Sequence, residues 1–583
     1  MKRGWLVASM LWPVVLMAQV EPAPTGSQPL PENRNPLPLD EGRVRAEAAD
    51  VSDASSQAQG AQALTPTPLP QGEGLSSAAA AEEKPRFDVL DFQIDGNTVL
   101  DQEAVETAIY PFLGPDKTVD DVEQARAALE AAYRKAGYVT VVVEIPEQDV
   151  DQGRVVLKVV EGTVEDLHIS GSRYYALGKI REAVPALAEG QVPHMPTVQK
   201  QMDDLAKQSA DRSVTPIFRA GSTPGRMEVE LKVADELPLH GGVEVNTRNT
   251  ENTSLTRVIG SLRYDNLWQR FHSVSLQYQT SPEASDEVQV WSGTYVLPTG
   301  LWDSRLAVYG VGIGSNTQLG ANVGGTAVVG SGSIYGARLV KPLQSTESFL
   351  HNATLGFDYK NFDQAITLAG QDTGRTPIGY ASFLAGYDAG WRSEQTVTSL
   401  NLAAHFSVRH LGNDEQEFAN KRSKARPNYL FLTADLKHQQ LLPEDFRLAG
   451  RASIQVSESP LISNEQFAAG GPQSVRGYHQ TQQLGDHGIN LSLELHSPNL
   501  LAGVSDAIQN FRLLSFVDGA YLWILDPLPG TASYYRMASA GLGLRMQVFK
   551  HLSGELDWSY PFHRQGSVDP GQQRVDFRLA YDF

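Results

Sequence analysis

The last nine residues, Val575-Asp576-Phe577-Arg578-Leu579-Ala580-Tyr581-Asp582-Phe583, carry an apolar side chain at every odd position and end on an aromatic ring. Side chains alternate across a strand with a period of two, so this segment has one apolar face and one face bearing Asp576, Arg578 and Asp582. The preceding segments follow the same rule. Glu555 and Asp557 share one face of 552–560, with Leu556, Trp558 and Tyr560 on the other, and 538–548 is apolar at its even positions. A soluble sandwich also alternates, but it does not require charge on one face and aromatic ends on the other. A strand between lipid and water requires both. No uninterrupted apolar run of about 18 residues follows the amino terminus, so a membrane-embedded form of this chain must cross as a closed barrel.

Segments of about ten residues with this alternation, rich in Gly, Ser and Tyr, extend back to about residue 236. Since a strand crosses a bilayer in about 9–11 residues, 236–583 has room for about 16 of them. The expected fold class is mostly β: a transmembrane β-barrel of about 16 antiparallel strands preceded by two small α+β domains.

Those domains emerge from a repeat. Residues 86–162 contain an alternating strand ending at Gly96-Asn97, two helices, and strands at 138–145 and 155–160 that flank Asp151-Gln152-Gly153. The second helix is the clearest: Thr118 caps it, Asp121 sits three residues on, Val122, Ala125, Leu129, Ala132, Tyr133 and Ala136 form its apolar stripe, and Gly137 ends it. The β-α-α-β-β order recurs over 163–235. Leu167-His168-Ile169-Ser170-Gly171-Ser172 repeats the pattern of 92–97, with Gly171 75 residues after Gly96.

Ahead of these domains the chain is of another kind. Lys2 and Arg3 precede an apolar stretch over 5–16 and the small-residue site Leu16-Met17-Ala18, the pattern of a signal peptide over 1–18. Residues 19–85 form a Pro- and Ala-rich linker that cannot bury enough surface to fold alone. Within it, 41–64 lacks proline and is a candidate helix carrying Arg43, Arg45, Glu47 and Asp50.

A formal net charge of −20 argues against nucleic acid as a partner, and the absence of cysteine removes disulfides, thiolate metal sites and cysteine nucleophiles. The chain has no G-x-S-x-G, H-E-x-x-H or G-x-x-x-x-G-K-[ST] pattern. The Gly310-x-Gly312-x-Gly314 cluster sits in a strand pattern and suits a crowded barrel wall. Neither an enzyme, a cofactor nor a metal is expected.

The residues that stand out lie in Gly470-Gly471-Pro472-Gln473-Ser474-Val475-Arg476-Gly477-Tyr478, followed by Gly485-Asp486-His487-Gly488 and the alternating run 489–495. Glycines beside an arginine let the backbone turn tightly and approach a wall closely. Between barrel strands, such a loop can carry Arg476 into the interior, where it needs an acidic partner. Parity along 511–523 puts Leu513, Val517, Tyr521 and Trp523 on one face and Arg512, Phe516 and Asp518 on the other, so Asp518 points inward. His479 and His487 beside the loop are expected as interior polar residues. In a water-filled interior an Arg–Asp pair contributes only about 0–1 kcal/mol, and more where it is bidentate and desolvated, which suits a latch better than a source of barrel stability.

The Val475-Arg476-Gly477-Tyr478 tetrapeptide, Gly485-Asp486-x-Gly488, Phe516-x-Asp518 and Asp265-Asn266-Leu267-Trp268 resemble the signature of the outer-membrane transporters of two-partner secretion, the haemolysin secretion/activation (TpsB) family. The likeness covers about 86–583, with POTRA-like domains at 86–162 and 163–235 and the barrel at 236–583. It implies a sixteen-stranded pore whose Arg476 loop, shaped by Gly470, Gly471, Val475, Gly477, Tyr478, Gly485, Asp486 and Gly488, enters the lumen and locks against Asp518 in a strand motif with Phe516 and Gly519. It further implies periplasmic POTRA domains that bind an exported partner through its amino-terminal secretion domain. The carboxy-terminal Phe577, Tyr581 and Phe583 would form the signal read by the barrel assembly machinery that inserts the chain into outer-membrane lipid. In some family members a helix plugs the pore, and 41–64 lies where that helix would be. An assembly factor that inserts other barrels shares the loop, the POTRA units and the barrel, but usually carries more POTRA units.

Overall fold

The computed structural model describes residues 85–583 apart from 151, 315–319, 324–325, 330, 347 and 369–370. The expected signal peptide, the linker to residue 84 and its 41–64 helix lie outside the described residues.

The first α+β unit has a three-stranded sheet in which Arg154–Glu161 lies between Asp91–Asp95, parallel to it, and Val141–Glu144, antiparallel to it. Its main helix, Val119–Lys135, buries Val122, Ala125, Leu129 and Tyr133. The helix starts on a capping box in which the Thr118 N–H and hydroxyl both donate to Asp121, each at 2.8 Å. The Thr118 N–H holds the Asp121 carboxyl below its usual range. One expected strand is divided: the Leu90 and Asp91 N–H groups both donate to the Gly153 carbonyl, and the preceding Phe87–Val89 pairs instead with Gly114–Lys117.

The second α+β unit repeats the order. Arg226–Asp235 lies between Thr163–Ser170, parallel, and Arg212–Ala220, antiparallel, and helices Leu177–Glu182 and Met195–Gln208 complete the unit. Val164, Leu167, Ile180, Leu187, Leu205, Val229 and Leu231 form its core. The two glycines that revealed the repeat occupy equivalent positions. Gly96 and Gly171 have φ of +93° and +84°, and a Cβ would meet the carbonyl oxygens of Val159 and Val233 at 2.4 and 2.3 Å. Only glycine tolerates both conditions.

The remaining chain is a closed antiparallel barrel of 16 strands from Leu239–Asn246 to Arg574–Asp582. The last strand closes on the first through the pairs Arg578↔Asn246 to Asp582↔Gly242. Outward positions such as Leu513, Val517, Leu579 and Tyr581 are exposed apolar residues, whereas Arg512, Asp518, Asp576 and Arg578 face inward and are buried. This is the lipid-out, polar-in pattern of a membrane barrel. No described helix is long and apolar enough to cross a membrane. Two neighbours, Phe349–Leu368 and Gln371–Arg392, run 20 and 22 residues rather than the expected ten or so. Their pairing continues as a hairpin beyond the length that crosses a bilayer.

The second unit touches the barrel through the turn after the second barrel strand. Gln269 accepts from Ala176 N and donates to the Tyr174 carbonyl, both at 2.9 Å, and Asn266 donates to the same carbonyl at 3.2 Å. Arg212 packs beside the stacked Tyr175 and Phe271 rings, 4.9 and 5.4 Å from their centroids. Burial lowers the basicity of Arg212 and pushes the Tyr175 hydroxyl up to about 12.

Candidate functional site

Strands Arg447–Ser457 and His487–His496 are direct neighbours, paired from Arg447↔His496 to Gln455↔Gly488, yet 458–486 lies between them in sequence. This excursion folds inward, with a small hairpin of Phe467–Ala469 and Gln483–Gly485. Near its tip Gly477 has φ +90°, and the flanking Val475 and Tyr478 are fully buried in an apolar cluster with Leu522 and Met537 on the inner wall. The Tyr478 hydroxyl donates to the His563 carbonyl at 2.9 Å.

That fold delivers Arg476 to Asp518. Nε donates to Oδ2 and Nη2 to Oδ1, both at 2.7 Å, and the Arg476 backbone N–H also reaches Oδ2 at 3.1 Å. Ser492 donates to the same carboxylate at 2.7 Å and accepts from Nη2 at 3.2 Å. Nη1 lies 2.7 Å from Glu494 and 4.0 Å from Asp557. The Phe516 ring lies against the guanidinium, 3.5 Å from its carbon, in a cation–π contact. Phe516 has room because Gly541 lies opposite, where a Cβ would come 2.4 Å from the ring and 2.1 Å from the Trp558 carbonyl oxygen.

The pair takes the bidentate, desolvated form rather than the wet one. Arg476 and Asp518 are each 1 % exposed, because the loop that carries the arginine also fills the space around it. A buried, two-point pair is short and charge-assisted, and removing one partner strands the other at a cost of about 3–5 kcal/mol. The pair therefore positions the loop strongly. The guanidinium donors are engaged by protein acceptors, so the arrangement is suited to holding a segment rather than to chemistry on a substrate.

Residues outside the loop and strand motifs extend the site. Arg545 lies 2.7 Å from Asp557 and 4.0 Å from Glu555, and Arg578 lies 3.0 Å from Glu555 and 2.9 Å from Glu244. Alternating charges thus run from Asp518 through Arg476, Asp557, Arg545, Glu555 and Arg578 to Glu244 on the first strand. Their inward parity was legible, but not their order around the wall. Asp486, singled out as part of the loop motif, is fully buried and paired with Arg422, which sequence reasoning missed. Glu465 is likewise buried against Lys360 at 2.7 Å.

The other expected residues fall as follows. Gly470 and Gly471 have φ of +111° and +97° at the loop's turn, Gly485 lies against Leu522, and Gly488 lies where a Cβ would strike the Phe467 ring. At Gly519 a Cβ would make only ordinary contact, so no steric reason for glycine exists there. His479 accepts from Arg574 at 2.9 Å, and His487 accepts from Ser457 N at 3.1 Å. Phe577, Tyr581 and Phe583 are exposed on the outer face at the seam. Away from the loop, Asp211, His240 and Asp265 bring ligand atoms within 4.8 Å of one another, but Arg263 is 2.7 Å from Asp265, which makes this an ion-pair cluster.

Comparison with known proteins adds to this geometry. Residues 87–162 match the POTRA domain, ShlB-type, and residues 225–546, more than half of the chain, match the haemolysin secretion/activation protein ShlB/FhaC/HecB model. The outer membrane transporter CdiB of Dickeya dadantii is 22% identical over 522 residues, covering 86% of this chain and 88% of that protein. The heme/hemopexin transporter protein HuxB of Haemophilus influenzae is 20% identical over 395 residues, covering 66% of this chain and 67% of that protein. Among solved structures, CdiB from Escherichia coli has a TM-score of 0.54 at 20% identity, covering 87% of this chain and 93% of that one. BamA from Haemophilus ducreyi lacking POTRA domains 1-3 has a TM-score of 0.53 at 15% identity, covering 86% and 100%. Both share the fold.

Proposed function

The chain belongs to the haemolysin secretion/activation protein family ShlB/FhaC/HecB, and from that membership we propose that it forms the outer-membrane passage through which a partner protein is exported to the cell surface. The α+β units at 86–162 and 163–235 act as POTRA domains in the periplasm and receive the partner's amino-terminal secretion domain while it is extended. Strands Asp91–Asp95 and Val141–Glu144 are the two edges of the first sheet, and an open edge binds an extended chain through main-chain hydrogen bonds with little sequence demand. The barrel at 236–583 provides the passage, and Phe577, Tyr581 and Phe583 serve as the signal by which the assembly machinery inserts it.

The observation that carries this reading is the Arg476–Asp518 pair inside a closed barrel. A loop filling the interior and held by a specific buried pair acts as a latch on a passage; a plain porin has no need of the α+β repeat before its first strand. The test is co-expression with a candidate partner bearing an amino-terminal secretion domain, scored by its appearance outside the cell. Export that depends on this chain is expected. Equal export without the chain would overturn the reading.

A further inference from the structure

The tip of the inward loop is held by Arg476, but its two stems are gathered by a different residue. Arg422 follows helix Glu415–Lys421 in the loop 407–429, and donates to both oxygens of Asp486, at 2.5 Å from Nη1 and 2.7 Å from Nη2. The same guanidinium donates to the Leu461 carbonyl at 2.5 Å and the Leu525 carbonyl at 2.9 Å. Asp486 in turn accepts from Leu461 N at 2.8 Å, Leu525 N at 2.7 Å and the Gln466 side chain at 3.2 Å. One ion pair thus ties together loop 407–429, both stems of the inward loop and the start of the 524–533 loop. Beside it, Phe418, Ala425 and Tyr429 of loop 407–429 pack with Leu461 and Ile462 of the incoming stem against inward-facing Tyr380 in a continuous apolar core. These contacts close the end of the barrel opposite the second α+β unit.

The two clamps differ in access. Arg476 is sealed beneath the loop, whereas the Arg422 side chain retains 18% exposure. The neighbouring Lys424–Asp526 bridge, which also joins loop 407–429 to the 524–533 loop, is 64% and 49% exposed. Water and ions thus reach the Arg422 side of the stem clamp, whose Asp486 is as buried as Asp518, but not the guanidinium at the tip. We infer that Arg422 is the positioning residue of this closure, and that the interior opens by parting the Arg422–Asp486 clamp, so that loop 407–429 swings from the stems before the Arg476–Asp518 pair yields. The inference rests on the reading of the barrel as a passage.

Because the chain has no native cysteine, introduced thiols are unique. The experiment uses the purified full-length chain in planar lipid bilayers with KCl, recording the frequency of channel openings. Unbridged R422C/D486C is expected to open at least tenfold more often than the wild type. Bridging its thiols with a bis-methanethiosulfonate should lower the frequency at least tenfold, and reductant should restore it. Equal frequencies in the bridged and reduced forms would overturn the inference. Heat-modifiable migration checks that the variant is a folded barrel. If it is not, K424C/D526C, at exposed positions, decides: bridging it must suppress openings reversibly, and unchanged openings overturn the inference. A barrel that opens normally in bilayers but exports nothing in cells rejects the export reading alone. Export that persists with the bridge in place rejects the stem clamp alone.

Discussion

Arg476 and Asp518 are 42 residues apart in sequence and meet through two 2.7 Å hydrogen bonds, one to each oxygen of a single carboxylate. The contact is dry, which turns an interaction of small expected worth into one whose loss leaves an uncompensated charge. Replacing Arg476 by Ala is expected to leave a barrel that still shows heat-modifiable migration, to loosen the inward loop toward added protease, and to reduce partner export greatly. Arg476→Lys keeps the charge but not the fork, and should fall between. Wild-type export from Arg476→Ala would rule out the latch.

Gly541 is expected to matter as much as the loop glycines. A Cβ there would be 2.1 Å from the Trp558 carbonyl oxygen and 2.4 Å from the Phe516 ring. Gly541→Ala should displace the ring that faces Arg476 and lower the urea concentration at which heat-modifiable migration is lost. Overpacking of this kind typically costs about 1–3 kcal/mol. An unchanged midpoint would show that the wall adjusts freely.

The junction between the barrel and the second α+β unit separates packing from charge. Arg212 is buried beside the stacked Tyr175 and Phe271 rings; its Nε finds no acceptor, and its Nη2 donates to the Leu205 carbonyl at 2.9 Å. Arg212→Met should therefore cost no more than about 1–3 kcal/mol, because an apolar side chain of similar length avoids burying a charge but leaves the Leu205 carbonyl without its donor. Phe271→Ala removes the ring supplied by the barrel turn and should speed proteolytic cleavage within 163–238. The reverse order of sensitivity would mean that the arginine, not the ring, holds the junction.

Phe583 contributes more than a terminal ring. Its N–H and C=O exchange hydrogen bonds of 2.9 and 3.0 Å with Gly241, and its ring covers the face of that glycine. Deleting Phe583 should reduce the heat-modifiable fraction recovered from membranes, since the strand that closes the barrel loses both its last backbone pair and its terminal aromatic. Undiminished recovery would argue against a carboxy-terminal assembly role.

Much of this architecture is local information. Alternation with a period of two is a property of a single strand, so the inward and outward faces of 511–523 and 575–583 could be assigned residue by residue. The spacing of Gly96 and Gly171 is likewise a one-dimensional signal, and it marked the doubled α+β unit. An arginine among glycines announced a loop able to turn inward. The burial of that arginine followed from none of these, because dryness depends on the loop seating it against Phe516 of one strand and Ser492 and Glu494 of another. The partnerships of Asp486 with Arg422 and Glu465 with Lys360 join residues 64 and 105 positions apart, and no short pattern marks them. Sequence alone determined which side chains could face the interior. Only the closed barrel decided which of them meet, because closing a sheet into a ring brings the inner faces of distant strands and their loops into one confined space where each charge must find a partner.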